Sequence, residues 1–205
     1  MTNTVVRLFD DLEEAQRAIQ ALLEAGFQKE DISLIASDFR GDYKNHLESD
    51  KAQVAEKGEE TAGMTETGAV VGGLLGLMAG LGVLGFPALG PVLIGGPLLA
   101  TLAGAGAGAA GGALLGALAD VGLTEDEAQY FAEAVRRGGV LVLVHTDEEN
   151  APRALRTMDR YNIANLEQRV EDWRREGWRG WDPDAEPYEP SEIDRMRAQT
   201  GHREG

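Results

Sequence analysis

Fifty-three consecutive residues of this 205-residue chain, Thr67 to Ala119, carry no charged side chain, and glycines recur through them at fixed spacing. Gly68, Gly72, Gly76 and Gly80 lie four residues apart, and so do Gly104, Gly108, Gly112 and Gly116. On a helix, positions i and i+4 share a face, so each set of four predicts a stripe without side chains against which another helix can close to backbone contact. An interior glycine costs a helix ~1 kcal/mol relative to alanine, so eight cost roughly 8 kcal/mol. Only burial in a bilayer or in a close-packed partner offsets that. The stretch therefore predicts a helical hairpin over 67–119. Its first helix, Thr67 to Leu84, would be roughly 27 Å long, and its second, Pro97 to Ala119, roughly 34 Å. Both approach the ~30 Å of a bilayer core.

The segments on either side look alike. Val5 to Phe9 is a short β-rich run. Leu12 to Ala25 carries apolar residues at helical spacing and ends at Gly26, and Asp31 to Ala36 alternates like a strand. Downstream, Val140 to Val144 is apolar enough to be a strand buried on both faces. Thr146 and Glu149 are spaced as a capping box, and Ala151, Ala154, Leu155 and Met158 repeat Ala15, Ala18, Ile19 and Leu22 at an offset of 136. A weaker strand is expected from Asn165 to Val170. The expected fold is α+β: a ferredoxin-like split β-α-β repeat with an inserted glycine-rich apolar helical hairpin and an extended C-terminal tail. It divides into a first half at 1–37, a polar spacer at 38–66 with a solvated helix near Lys51 to Thr61, and the hairpin at 67–119. An extra helix from Thr124 to Arg137 plus the second half follow at 120–170, with the tail at 171–205. Two halves sharing one sheet put both ends of the insertion on the same side of any membrane.

Charge narrows the partners. The formal net charge is −16. The 15 acids and 7 bases of residues 1–66, with 10 and 6 in each of 120–170 and 171–205, leave the insertion alone neutral. An acidic surface repels phosphate backbones and anionic headgroups, which argues against nucleic acid as a partner. The expected partner is the chain itself, as a homo-oligomer, with a lipid bilayer as the other candidate. Acidic flanks (Glu59, Glu60 and Glu66 before, Asp120, Glu125 and Asp126 after) run against the usual loop pattern of membrane spans. An apolar tip, Phe86 to Ile94, runs against a loop in water. A membrane-embedded wedge is preferred, then a spoke in an oligomer core. A hairpin folded back on its own domain comes last, since so small a domain has little free apolar surface. The chain has no cysteine, and its N-terminal residues run straight into a strand without a basic and then apolar leader. The expectation is a cytoplasmic location or the cytoplasmic face of a membrane.

These residues resemble a known family. Val5-Val6-Arg7-Leu8-Phe9-Asp10, Glu13-Glu14-Ala15, Ala25-Gly26-Phe27, Asp31 to Ile35, and Tyr130 to Val144 with its Arg136-Arg137-Gly138-Gly139 are similar to the bacterial general-stress (heat-induced, YflT-like) domain proteins. The resemblance covers roughly residues 4–146 and implies a stress-linked, non-catalytic protein with no catalytic residues to carry over. Related proteins with such a hairpin are usually described as membrane proteins.

Chemistry-bearing motifs are weak. Gly106-Ala107-Gly108-Ala109-Ala110-Gly111 matches a dinucleotide fingerprint but follows no strand. His46, His145 and His202 are scattered. Asp10-Asp11-Glu13-Glu14, Glu125-Asp126-Glu127 and Asp147-Glu148-Glu149 fit helix starts better than cation sites. Asp182, Asp184 and Glu186 lack the rest of a calcium loop. No catalytic, cofactor or metal site is expected, and the protein is read as no enzyme. The tail holds all three tryptophans, Trp173, Trp178 and Trp181, together with Tyr188. These aromatics predict docking, either on a neighbouring subunit or membrane interface or on the chain's own sheet. Ser191 and Asp194 suggest a final short helix. The functional expectation is a self-assembling or membrane-associated stress protein acting through its glycine ladders. The alternatives are a pore-forming or regulatory membrane protein and, further off, a small-molecule-binding or enzymatic module.

Overall fold

The computed structural model describes residues 2–38, 82–86, 89–104 and 112–201. The polar spacer after Asp38, the ladder Gly68 to Gly80, the motif Gly106 to Gly111, His46 and His202 lie outside them. The chain is α+β. Its strands are β1 (Thr2–Phe9), β2 (Ile32–Ser37), β3 (Gly82–Phe86), β4 (Gly90–Gly95) and β5 (Val140–Asp147). Its helices are α1 (Leu12–Glu24), α2 (Pro97–Gly104), α3 (Gly112–Asp120), α4 (Glu125–Arg136), α5 (Ala151–Met158), α6 (Leu166–Arg175) and α7 (Pro190–Gly201). The five strands form one sheet in the order β1-β5-β2-β4-β3, every neighbouring pair antiparallel.

β5 explains the layering. Val140, Val142 and Val144 point to one face, where they pack with Ala15, Ala18, Ile19 and Leu22 of α1 and Ala151, Ala154 and Met158 of α5. The offset repeat thus fills one core from two helices side by side. Leu141 and Leu143 point to the other face, with Val6, Leu8 and Ile35. Because alternate residues serve opposite faces, a strand covered on both sides has no polar position to spare.

That second face is covered by α4, through Ala128, Phe131, Ala132 and Val135, together with the described part of the apolar insertion, and for that part this corrects the expectation that the insertion leaves its own domain. Leu89, Val92, Ile94, Leu98, Leu102, Leu114, Ala117 and Leu118 are buried in one core with Val6, Leu8, Ile35, Leu141 and Leu143, α2 lying on the sheet and α3 packing on α2 and α4. The sheet has two faces, and α1 with α5 satisfies only one. The apolar tip is not a helical loop either. Gly82–Phe86, expected as the end of a helix and the start of the tip, is a strand. It pairs with β4 from Gly82 against Ile94 to Phe86 against Gly90, and β4 pairs with β2 from Leu34 against Gly95 to Ser37 against Val92. The tip is thus a β-ribbon that widens the sheet. Helices follow as two pieces, α2 and α3, which pack against each other. The main chain N–H of Leu98 donates to Ser33 Oγ at 3.4 Å, tying the start of α2 to β2.

Three smaller expectations change. Asn165 to Val170 is not a strand: Ile163 makes a single antiparallel bridge to Phe9, and then the Asn165 side chain caps α6 by accepting from the Gln168 N–H at 3.0 Å. Thr146 is part of β5 and caps nothing. Asp147 accepts the Asn150 N–H at 2.8 Å instead and turns the chain into α5. That bond holds the Asp147 carboxyl below its ordinary value. The tail is not extended, since it contains the end of α6 and all of α7.

α4 starts where expected. Thr124 and Glu127 form a reciprocal capping box, with Thr124 Oγ1 and the Thr124 N–H donating to Glu127 at 2.7 Å and 2.9 Å. These bonds lower the Glu127 pKa, the threonine hydroxyl contributing most. A lowered carboxylate pKa stabilises the fold above the ordinary glutamate value of 4.5, and the gain fades as pH falls through the folded-state value. Thr124→Ala is expected to cost about 1 kcal/mol at neutral pH. The gap from the parent chain should narrow below pH 4.5, as urea midpoints across pH would record.

Candidate functional site

Two places carry the residues singled out by sequence. The first is the outer face of α3. Its apolar side, Leu114, Ala117 and Leu118, is buried, while Gly112, Gly116, Ala119 and Asp120 are exposed. A Cβ built on Gly112 or Gly116 meets nothing within 4 Å. The half of the second ladder that is described therefore lines no contact among the described residues. Gly104 ends α2, and Gly108 lies outside the described residues. The two described glycines of α3 share a stripe that is open among the described residues, and Gly68, Gly72, Gly76, Gly80 and Gly108 lie outside them.

The second place is the C-terminal end of α4, where the tail docks. Trp173 of α6 is buried in the core beside Val170, and Trp178 and Trp181 pack against the same cluster. Trp178 makes a T-shaped contact with Trp173 and a tilted one with Tyr130, each at 5.9 Å between centroids. The Trp181 N–H of the main chain donates to Gln129 Oε1 at 3.2 Å. Tyr188 lies under Arg136, with the guanidinium carbon 4.4 Å from the ring centre. All four aromatics named from the sequence thus meet α4 and its surroundings in the same chain.

Sequence reading did not single out the charges they cover. Glu133 is fully buried, and its carboxylate receives Arg137 Nε at 2.7 Å and Arg136 Nη1 at 3.3 Å. Arg137 also reaches Glu176 at 3.3 Å and lies 5.0 Å from the Trp173 ring centre. The signal was present as Glu133, Arg136 and Arg137 at i, i+3 and i+4 among Ala132, Ala134 and Val135, which is a charged stripe on a helix with no polar flank.

No family model, no curated protein and no solved structure matches the chain. The remaining motifs resolve as structural. Asp11 caps α1 by accepting the Glu14 N–H at 2.8 Å, Asp10 pairs with Arg169, and Glu13 and Glu14 pair with Arg17. His145 is exposed and shares a 3.1 Å hydrogen bond with Thr4 Oγ1. Asp182 Oδ1 accepts the Asp184 N–H at 3.0 Å, forming a turn. Among the described residues no group of three or more histidine or acidic side chains could hold a metal ion, and no helix is long and apolar enough to cross a membrane.

Proposed function

We propose that this chain is a non-enzymatic, stress-associated structural protein that assembles with copies of itself through the glycine stripe of its insertion. The frame is read as a ferredoxin-like split β-α-β repeat. Its support is the order Ile163, β1, β5, β2, with the α1 and α5 cores related by the 136-residue offset. β4 and β3 are then an extension of that frame.

The observation that carries the functional reading is the open space over Gly112 and Gly116 on a helix already packed by its opposite side. A glycine exposed in a helix costs ~1 kcal/mol over alanine, and nothing among the described residues requires either one. A facing helix would use both, because missing side chains permit the closest approach. The exposed acidic residues that follow the stripe, Asp120, Glu125 and Asp126, favour a facing copy over an anionic lipid surface as the occupant.

The test is the double substitution Gly112→Leu/Gly116→Leu, followed by sedimentation velocity and by flotation with lipid vesicles. Since both sites are open among the described residues, the fold should hold and the isolated subunit should gain roughly 1–2 kcal/mol from helix propensity. The parent chain should sediment as an oligomer, and the variant should dissociate at concentrations at least about tenfold higher. An unchanged assembly, or a monomeric parent, would refute self-association through α3. Flotation of the parent lost in the variant would move the stripe to the lipid reading.

A further inference from the structure

The two arginines that close α4 are not equally satisfied. Arg137 gives Nε to Glu133 and Nη1 to Glu176. Arg136 gives Nη1 to Glu133 at 3.3 Å and Nη2 to the main chain carbonyl of Glu186 at 2.7 Å, but its Nε has no hydrogen-bond partner and no contact with solvent. The residue is 9% exposed.

Nε and Nη2 form one edge of a guanidinium, two parallel N–H donors spaced to meet the two oxygens of a carboxylate or phosphate. A peptide carbonyl brings a single oxygen. Glu186 therefore fills one prong of the fork and leaves the other buried and unpaired, a standing cost. The segment supplying that carbonyl is held at its two aromatics, Trp181 and Tyr188, and is otherwise turned to solvent. Asp182, Pro183, Asp184, Glu186, Pro187 and Glu189 are all exposed, and Trp181 Nε1 is a second buried donor without a partner. The tail seats on α4 with two unmet donors.

We propose that the Arg136 fork is a binding site for a small molecule bearing a carboxylate, and that residues 181–189 are its resting occupant, displaced when the ligand arrives. Charge selects carboxylate over phosphate. Arg136 and Arg137 against the single buried Glu133 leave one positive charge, and Glu176, its side chain 60% exposed, is free to swing into water. One carboxylate balances the site. A phosphate dianion would overshoot beside Glu133 in a chain of net charge −16. The Trp173 ring beside Arg137 belongs to α6, not to the displaced segment, and remains as an apolar wall.

The experiment uses the full chain, titrated with acetate, with propionate and with inorganic phosphate at matched ionic strength against chloride. Tryptophan emission and calorimetry are the readouts. Carboxylates should bind saturably and change the emission as Trp181 leaves α4. Arg136→Lys, which keeps the charge but not the fork, should weaken that binding by at least about tenfold. Tyr188→Ala, which loosens the resting occupant, should tighten it several-fold. The proposal is overturned by the absence of saturable carboxylate binding, by binding of phosphate alone, or by undiminished binding in a folded Arg136→Lys. If circular dichroism finds Arg136→Lys unfolded, Tyr188→Ala decides: affinity unchanged or reduced there overturns the proposal as well.

Discussion

Glu133→Gln is expected to remove about 3–5 kcal/mol of folding stability, a large share of the roughly 5–15 kcal/mol a domain of this kind possesses. The substitution keeps the shape of the side chain, so no cavity opens. What it removes is the only carboxylate among the described residues that faces both Arg136 and Arg137 from within the core. The two guanidiniums would stay where α4 and the tail hold them, side-chain exposures 11% and 13%, with one amide oxygen between them. Burying a charge that has lost its partner costs far more than the intact pair contributes, because desolvation no longer has a Coulomb term against it. The urea midpoint should fall with little change in slope. Adding Arg137→Met to Glu133→Gln should recover part of the loss, since it removes one of the stranded charges. A double variant no better than the single one would mean that Glu133 acts through packing alone.

Gly96→Ala should be comparably damaging, at a cost of at least about 3 kcal/mol, by a different route. Gly96 joins β4 to α2 at φ +78°, and a Cβ there would lie 2.0 Å from the carbonyl oxygen of Ile32 and 2.9 Å from its carbon. The left-handed backbone alone costs an L-residue about 1–2 kcal/mol. The clash adds more, because the obstruction is the backbone of β2 and cannot rotate away. Relief requires β4 to part from β2, which uncovers Ile35 and its neighbours. Gly122→Ala is the control. Gly122 has φ +100° with nothing within 4 Å of its Cβ position, so only the backbone cost of about 1–2 kcal/mol applies. Thermal melts of the pair would separate strain from collision, and equal losses would refute the steric account.

The parts of this fold that sequence makes legible are those with a period. The α1 stripe, its echo in α5, the cap of α4 at Thr124 and the doubly buried run of β5 all follow from spacing alone. The β3–β4 ribbon does not. Gly82 to Ile94 is apolar at nearly every position, so neither a two-residue nor a 3.6-residue repeat can emerge, and a short buried strand is indistinguishable from a buried helix by pattern. What decides it is pairing with β2, whose partner residues lie about 55 to 60 positions away in the chain. α6 was obscured by Ile163, which does bridge to Phe9, while Leu166, Val170 and Trp173 already stand at helical spacing behind Asn165. As for the sites, the glycine stripe and the docking aromatics were visible by residue type. The Glu133 cluster was hidden because charges at i, i+3 and i+4 ordinarily mark a face turned to water, and only the tail's return covers this one.

The position of β5 sets a timetable for the making of the protein. β1 and β2 belong to the first 37 residues, yet neither pairs with the other, and both wait for the strand at 140–147 that lies between them. A ribosome adding about 5–20 residues per second needs roughly 5–20 s to supply that strand. Through that interval the apolar side of α1 has no finished sheet beneath it, and α2 and α3 emerge before the β5 strand and α4 that complete their core. Growth on the ribosome therefore contains a window in which the first two strands have no partner strand between them.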